Sequence, residues 1–305
     1  MRISDIPIRD PFVVPVEGRY YLFGSTDKDI WKGPGQGFDG YVSHEGSLKD
    51  FQGPFPAFRP PENFWSETNF WAPEVHWYRG SWYMFATFKP QTGRRGTAIL
   101  KSSDGLLGPY LPWSWAAPGV SGPVSPGDWE CLDGTFFMEQ GIPYLVFCHE
   151  WQQVGDGEIC ALPLTEDLRQ AAGAPVLLFR ASEAPWTGEL AGRAPGSYVT
   201  DGPFMYPAQG GGLLMLWSSF NKAGNYCLGL ARSASGTLSG PWFQEQTPLY
   251  QGDGGHGMLF RGWDGILYLA LHTPNQTPWE RACFIPVQEA LMRLAITGGD
   301  LPQRT

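Results

Sequence analysis

Four acidic residues and one histidine recur at similar places along this chain: Asp10 before Pro-Phe, Glu74 after Pro73, Asp133 before Gly-Thr-Phe, Asp201 before Gly-Pro-Phe and His256 before Gly-Met-Leu-Phe. Each stands against a short apolar run that reads as a strand. Carboxylates gathered in one poorly solvated place cannot all titrate normally, because burial and like charge raise their pKa values. One then keeps a proton near neutral pH while another stays ionised. General acid–base hydrolysis needs that division, and glycoside hydrolysis uses two carboxyl groups flanking the scissile bond. Asp-Gly and Asp-Pro are also ordinary turn dipeptides. A turn aspartate would recur unchanged, however, whereas here Asp, Glu and His alternate within a persistent strand pattern.

The elements that must position these residues repeat too. A Gly-anchored strand recurs as Gly18-Arg-Tyr-Tyr-Leu-Phe, Gly80-Ser-Trp-Tyr-Met-Phe, Gly141-Ile-Pro-Tyr-Leu-Val, Gly211-Gly-Leu-Leu-Met-Leu and Gly265-Ile-Leu-Tyr-Leu-Ala. A period of roughly sixty residues marks a radial or solenoid array. Gly53-Pro54-Phe55, Gly108-Pro109-Tyr110 and Gly240-Pro241-Trp242 close three of the repeats. Each repeat is long enough for four short antiparallel strands, the content of a propeller blade. The pattern therefore predicts an all-β, five-bladed β-propeller occupying residues 1–305 as a single domain. The first strand of a blade lies nearest the axis, so the five polar residues should face one mouth of the central channel. Helical periodicity is confined to single turns near Thr165 and Glu289. The ring is expected to close by a strand from the N-terminus or from Ala282-Cys-Phe-Ile-Pro completing a blade begun at the other end.

Composition bounds the partners. The 305 residues include 40 Gly, 28 Pro and 15% aromatics, ample turn and core material, and no apolar run long enough for a membrane helix. A net charge of −9 argues against nucleic acid, which is gripped by clustered Lys and Arg; a neutral substrate fits better. Five cysteines without CxxC spacing indicate neither a disulfide framework nor a zinc site. The first residues lack a signal-peptide pattern, so the chain as given reads as cytoplasmic. Oligomeric state is left open.

Ile8-Arg9-Asp10-Pro11-Phe12, Trp71-Ala72-Pro73-Glu74-Val75, the strand led by Asp133, Asp201-Gly202-Pro203-Phe204 and Gly255-His256-Gly257-Met258 together resemble the ordered motifs of glycoside hydrolase family 43. The resemblance implies a five-bladed propeller and inverting hydrolysis, mostly of α-L-arabinofuranosides and β-D-xylosides in plant-type oligosaccharides. It makes Asp10 the general base, Asp133 the carboxylate that tunes the acid and orients substrate, and His256 the axial histidine near a bound water or metal ion. No cofactor is required; a structural Ca²⁺ or Na⁺ on the axis would be held mainly by water.

One position departs from the family pattern. The family's acid is usually Glu in Glu-Gly-Pro, where this chain has Asp201-Gly202-Pro203. Either Asp201 donates the proton from a rebuilt site, or Glu130, Glu150 or Glu74 does. The pair Glu130-Cys131 also resembles the acid motif of the fructan-cleaving family 32, which retains configuration. A non-catalytic carbohydrate-binding propeller is the reading from a different class. Sugar contacts are expected from Trp71 above all, with Phe70, Glu74, Glu130, Glu150 and His256; Trp65, Trp151 and Trp217 are weaker platforms. Arg94 and Arg95 read as a solvated turn.

Overall fold

Gly18, Gly80, Gly141, Gly211 and Gly265 all have positive φ, the backbone that tight hairpin turns need and that glycine adopts without strain. Each joins the first two strands of a four-stranded antiparallel sheet. The computed structural model describes residues 1–290 and 292–297, and in it five such sheets form the blades of a propeller.

The first blade comprises β1 (Arg9–Val16), β2 (Arg19–Ser25), β3 (Phe38–Ser43) and β4 (Phe51–Phe58). The second comprises β5 (Thr68–Tyr78), β6 (Ser81–Lys89), β7 (Gly96–Ser102) and β8 (Tyr110–Pro112), followed by the small hairpin β9 (Trp115–Ala117) and β10 (Val120–Ser121). β11 (Cys131–Glu139), β12 (Ile142–His149), β13 (Glu158–Pro163) and β14 (Val176–Arg180) make the third. β15 (Asp201–Pro207), β16 (Leu213–Phe220), β17 (Tyr226–Ser233) and β18 (Trp242–Gln244) make the fourth. β19 (Gly255–Arg261), β20 (Leu267–Thr273), β21 (Arg281–Ala290) and β22 (Arg293–Ile296) make the fifth. The three Gly-Pro-aromatic segments fall in or at the start of the outermost strands β4, β8 and β18, as a blade-closing signal should.

Apolar side chains are buried mainly between neighbouring blades. One cluster joins the fifth, first and second blades, and others join the second to the third, the third to the fourth and the fourth to the fifth. Two sequence expectations are corrected. Among the described residues no strand is exchanged to close the ring: Ala282–Pro286 belongs to β21, inside its own blade. Closure comes instead from β1 packing beside β19, with Pro7 bridged to Arg281 and the Ile8 N–H donating to the Glu280 carbonyl at 3.3 Å. The segment at Glu289 is strand, the end of β21, and Thr165–Gln170 is a turn. A single-turn helix, α1 (Trp151–Val154), follows β12. No helix among the described residues is long and apolar enough to cross a membrane.

Candidate active site

All five innermost strands share one irregularity. Pairing runs from Arg9–Ser25 to Phe12–Phe23, Trp71–Thr87 to Glu74–Phe85, Leu132–Cys148 to Thr135–Val146, Asp201–Ser218 to Phe204–Leu216, and Gly255–His272 to Met258–Ala270. In each case two residues on the inner strand oppose one on the next, which is a β-bulge. Its first residue is left-handed every time: Asp10 at φ 53°, Ala72 at 47°, Asp133 at 55°, Gly202 at 50° and His256 at 50°. For a non-glycine residue this conformation costs about 1–2 kcal/mol, and such strain concentrates where side chains must be aimed.

The bulges are braced around the ring. The hydroxyl oxygen of Ser25 accepts the Ala72 N–H at 2.8 Å, that of Thr87 the Asp133 N–H at 2.8 Å, and that of Ser218 the His256 N–H at 2.8 Å. His272 Nδ1 accepts the Asp10 N–H at 3.2 Å. In the fourth blade the Gly202 N–H instead donates to Asp133 Oδ2 at 3.1 Å. The residue before each bulge and the bulge residue itself thus form ten equivalent positions. Seven of them, Arg9, Asp10, Trp71, Leu132, Asp133, Asp201 and His256, line one axial cleft of about 1080 Å³.

The phase expected from sequence is therefore right for Asp10, Asp133 and His256, and one residue off for Asp201, which precedes its bulge. The reason is steric. A Cβ on Gly202 would lie 2.7 Å from the His256 ring, so the bulge position itself has no room for a side chain. Glu74 follows the bulge of its blade and does not line the cleft. It accepts from the Thr135 hydroxyl at 2.6 Å and meets His76 Nε2 at 2.9 Å, while the His76 ring lies 5.0 Å from Phe12.

Charge is divided within the cleft. Burial alone would raise Asp10, but His256, Arg9 and the Ser25 hydroxyl, donating to Oδ2 at 2.6 Å, outweigh it and hold this carboxyl below its usual range. His256 Nδ1 faces Asp10 Oδ1 at 3.2 Å and Asp133 Oδ2 at 3.6 Å. Burial, then the charge of Asp10, pushes Asp133 well up. Burial, then Asp133, pushes Asp201 up to about 7. The Tyr226 hydroxyl donates to Asp201 Oδ2 at 3.1 Å, which leaves Oδ1 as the oxygen able to carry a proton into the cleft. Burial also holds Tyr226 in its protonated, donating form.

Other expected contacts divide. Trp71 lines the cleft, donates to the Ile30 carbonyl at 2.6 Å, and meets Trp31 edge-on at 5.4 Å. Glu150 lines it too, paired with Arg95 and raised in pKa by burial. Arg95 is no solvated turn: it is buried, with its guanidinium 4.7 Å from the Trp71 ring centre. Glu130 lies outside the cleft lining, between Arg94 at 3.4 Å and Lys89 at 3.6 Å, and accepts the Arg95 N–H at 3.1 Å. Phe70 is core, packed 4.9 Å from Phe88 and fully buried, so it contacts no sugar. Trp217 is likewise buried, Trp65 packs on the aromatic core, and Trp151 lines the cleft.

Arg9, Tyr226 and His272 were not singled out by sequence. Arg9 could have been, since it is the immediate neighbour of Asp10 in the same relation as Trp71 to Ala72. Among the described residues no group of three or more His, Cys, Asp and Glu side chains is placed to hold a metal ion. With Nδ1 of His256 turned to two carboxylates, Nε2 is its remaining donor, which does not fit the six to eight oxygens of a protein-built Ca²⁺ site.

A buried trio of carboxyls, one held below its usual range and two raised above it, at the mouth of a propeller axis defines a class of acid–base enzyme site. The profile described as Glycosyl hydrolases family 43 matches residues 3–289, and the chain belongs to that family. The crystal structure of an endo-arabinase from Bacteroides thetaiotaomicron is 37% identical, with a TM-score of 0.84, and the match covers 95% of this chain and 98% of that one. An extracellular exo-α-(1→5)-L-arabinofuranosidase of Streptomyces avermitilis is 23% identical over 206 residues, 64% of this chain. An α-L-arabinofuranosidase of Humicola insolens is 25% identical over 216 residues. Both matches span only 40% of those longer proteins.

Proposed function

We propose that this chain is an inverting glycoside hydrolase that cleaves α-L-arabinofuranosyl linkages in arabinan-type oligosaccharides. Asp10 is the general base, Asp201 the general acid, and Asp133 the residue that orients substrate and sustains the acid's proton. The observation that carries the reading is that two buried carboxyls share one cleft in opposed surroundings, Asp10 against His256 Nδ1 and the Ser25 hydroxyl, which hold it low, and Asp201 buried near Asp133, which raises it to about 7. Asp10 takes a proton from water as that water attacks the anomeric carbon. Asp201 gives the proton on Oδ1 to the leaving oxygen. Inversion requires the two carboxyls to stand about 6.5–9.5 Å apart so that the water fits.

Asp133 acts on the acid through the Gly202 N–H as well as through charge, fixing the backbone beside Asp201. The cleft volume of about 1080 Å³ lies just above the usual range of small-molecule pockets, roughly 300–1,000 Å³, which suits an oligosaccharide better than one sugar. Arabinan is favoured over xylan by the 37% identity to a protein described as an endo-arabinase. An axial Ca²⁺ or Na⁺ would be held by water with His256 Nε2 as its imidazole donor, and no proton transfer depends on it.

The test is a panel of linear arabino-oligosaccharides, aryl α-L-arabinofuranoside and aryl β-D-xyloside, with the first-formed anomer followed by proton NMR. Inverted arabinose products, abolished in Asp10→Asn and in Asp201→Asn, are expected. Retained anomeric configuration, or full activity of either variant, refutes the assignment.

A further inference from the structure

The second-strand position facing the bulge of the neighbouring blade is occupied by Ser25, Thr87, Cys148, Ser218 and His272, and all but Cys148 brace that bulge with a hydrogen bond. Three carry hydroxyls, and the imidazole falls where the brace holds Asp10. A serine there would satisfy the Asp10 N–H as Ser25 satisfies Ala72. The histidine does something a hydroxyl cannot, and the hydrogen bonds show what.

His272 Nδ1 accepts the Asp10 N–H at 3.2 Å, so Nδ1 carries no proton. The ring's proton is on Nε2, which faces Asn275 Oδ1 at 3.3 Å. The same Nδ1 lies 3.5 Å from Asp10 Oδ1. It therefore turns a lone pair, not an N–H, towards the carboxylate. A hydroxyl could rotate its proton onto Oδ1 and occupy a lone pair; a neutral imidazole in this tautomer cannot.

We propose that His272 is a positioning residue for the base: it fixes the Asp10 backbone in its left-handed bulge while leaving Oδ1 free of a competing donor from that side. The proposal rests on the assignment of Asp10 as base. The groups around the ring agree with it. Arg9 and Asp10 approach from β1, His256 from β19, and the Tyr226 ring stacks at 5.8 Å and 20° from β17. The ring is fully buried, and burial followed by the charge of Arg9 pushes its pKa down to about 3, so it is neutral near pH 7. Asn275 also lines the cleft, so the loop that meets the substrate is the loop that holds the tautomer.

The experiment compares His272→Asn, His272→Gln and His272→Phe with Asp10→Asn on an arabino-oligosaccharide, reading kcat and KM separately with thermal unfolding alongside. Asn places an amide oxygen where Nδ1 stands and is expected to keep kcat within about threefold. Gln and Phe remove that acceptor and are expected to lower kcat by about tenfold to a hundredfold with KM within twofold, since misplacing a reacting group by about 1 Å costs on the order of 10². Should the buried variants unfold, Asn275→Leu, which removes the Nε2 partner, is expected to lower kcat several-fold in a folded protein. Equal kcat across the His272 series and Asn275→Leu, with Asp10→Asn inactive, overturns the proposal alone. Equal losses in all three His272 variants, tracking stability, also overturn it. An active Asp10→Asn overturns the base assignment and the proposal with it.

Discussion

Removing the Tyr226 hydroxyl should shift the pH range of activity in a direction fixed by the site. The free enzyme is competent while Asp201 holds its proton, so kcat/KM falls as pH rises through the Asp201 pKa, about 7. The Tyr226 hydroxyl donates to Oδ2 at 3.1 Å and stabilises the carboxylate more than the acid, which lowers that pKa. A hydrogen bond to a charged group is worth about 1.5–3 kcal/mol, and one pKa unit corresponds to about 1.4 kcal/mol. Tyr226→Phe should therefore move the alkaline limb of kcat/KM upward by about one to two units. The acidic limb, set by Asp10 and below the usual aspartate range, should stay below the pH window of the assay in both proteins. The assay is a kcat/KM profile from pH 4 to 10 on an aryl α-L-arabinofuranoside, with the variant's fold checked by circular dichroism. An alkaline limb that stays put or moves down would refute Asp201 as the proton donor.

Glu130→Gln should leave kcat within twofold, because Glu130 is not among the residues lining the cleft and is held by Lys89 and Arg94; a loss approaching that of Asp201→Asn would return the acid to the third blade. Arg95→Ala strands the buried Glu150 carboxylate. It should cost about 3–5 kcal/mol of stability, read as a lowered denaturant midpoint, and a midpoint equal to wild type would contradict the pairing. Phe70→Ala should cost about 3–5 kcal/mol with KM unchanged, whereas a KM effect without destabilisation would make Phe70 a sugar contact after all. Asp10→Asn should lower kcat by about 10²–10⁴, the usual contribution of a general base.

The repeat was legible because hairpin turns force glycine: Gly18, Gly80, Gly141, Gly211 and Gly265 mark the blades whatever surrounds them. The placement of catalytic side chains was less legible, because a bulge inserts one residue and slides the pattern. Asp201 and Glu74 both read as in phase with Asp10, yet the left-handed residues of their blades are Gly202 and Ala72. No propensity rule finds an alanine in that conformation; only the strand register does. Arg95 read as solvated because Gly-Arg-Arg-Gly resembles a turn, and its burial depends on Glu150 and Trp71 arriving from elsewhere. Tyr226 and His272 act from the third and second strands of their blades, outside any motif of the first strands.

The braces between blades give the ring a direction. Ser25 reaches forward to the second blade, Thr87 to the third, Ser218 to the fifth, and His272 back round to the first. Mutational epistasis should inherit that handedness: a change at Thr87 or Ser218 disturbs the functional residue of the blade ahead, while Ser25, which also donates to Asp10, acts on its own blade as well. Asp133 and His256 would answer to Thr87 and Ser218, residues distant from them in sequence and silent in any scan that looks only at the cleft.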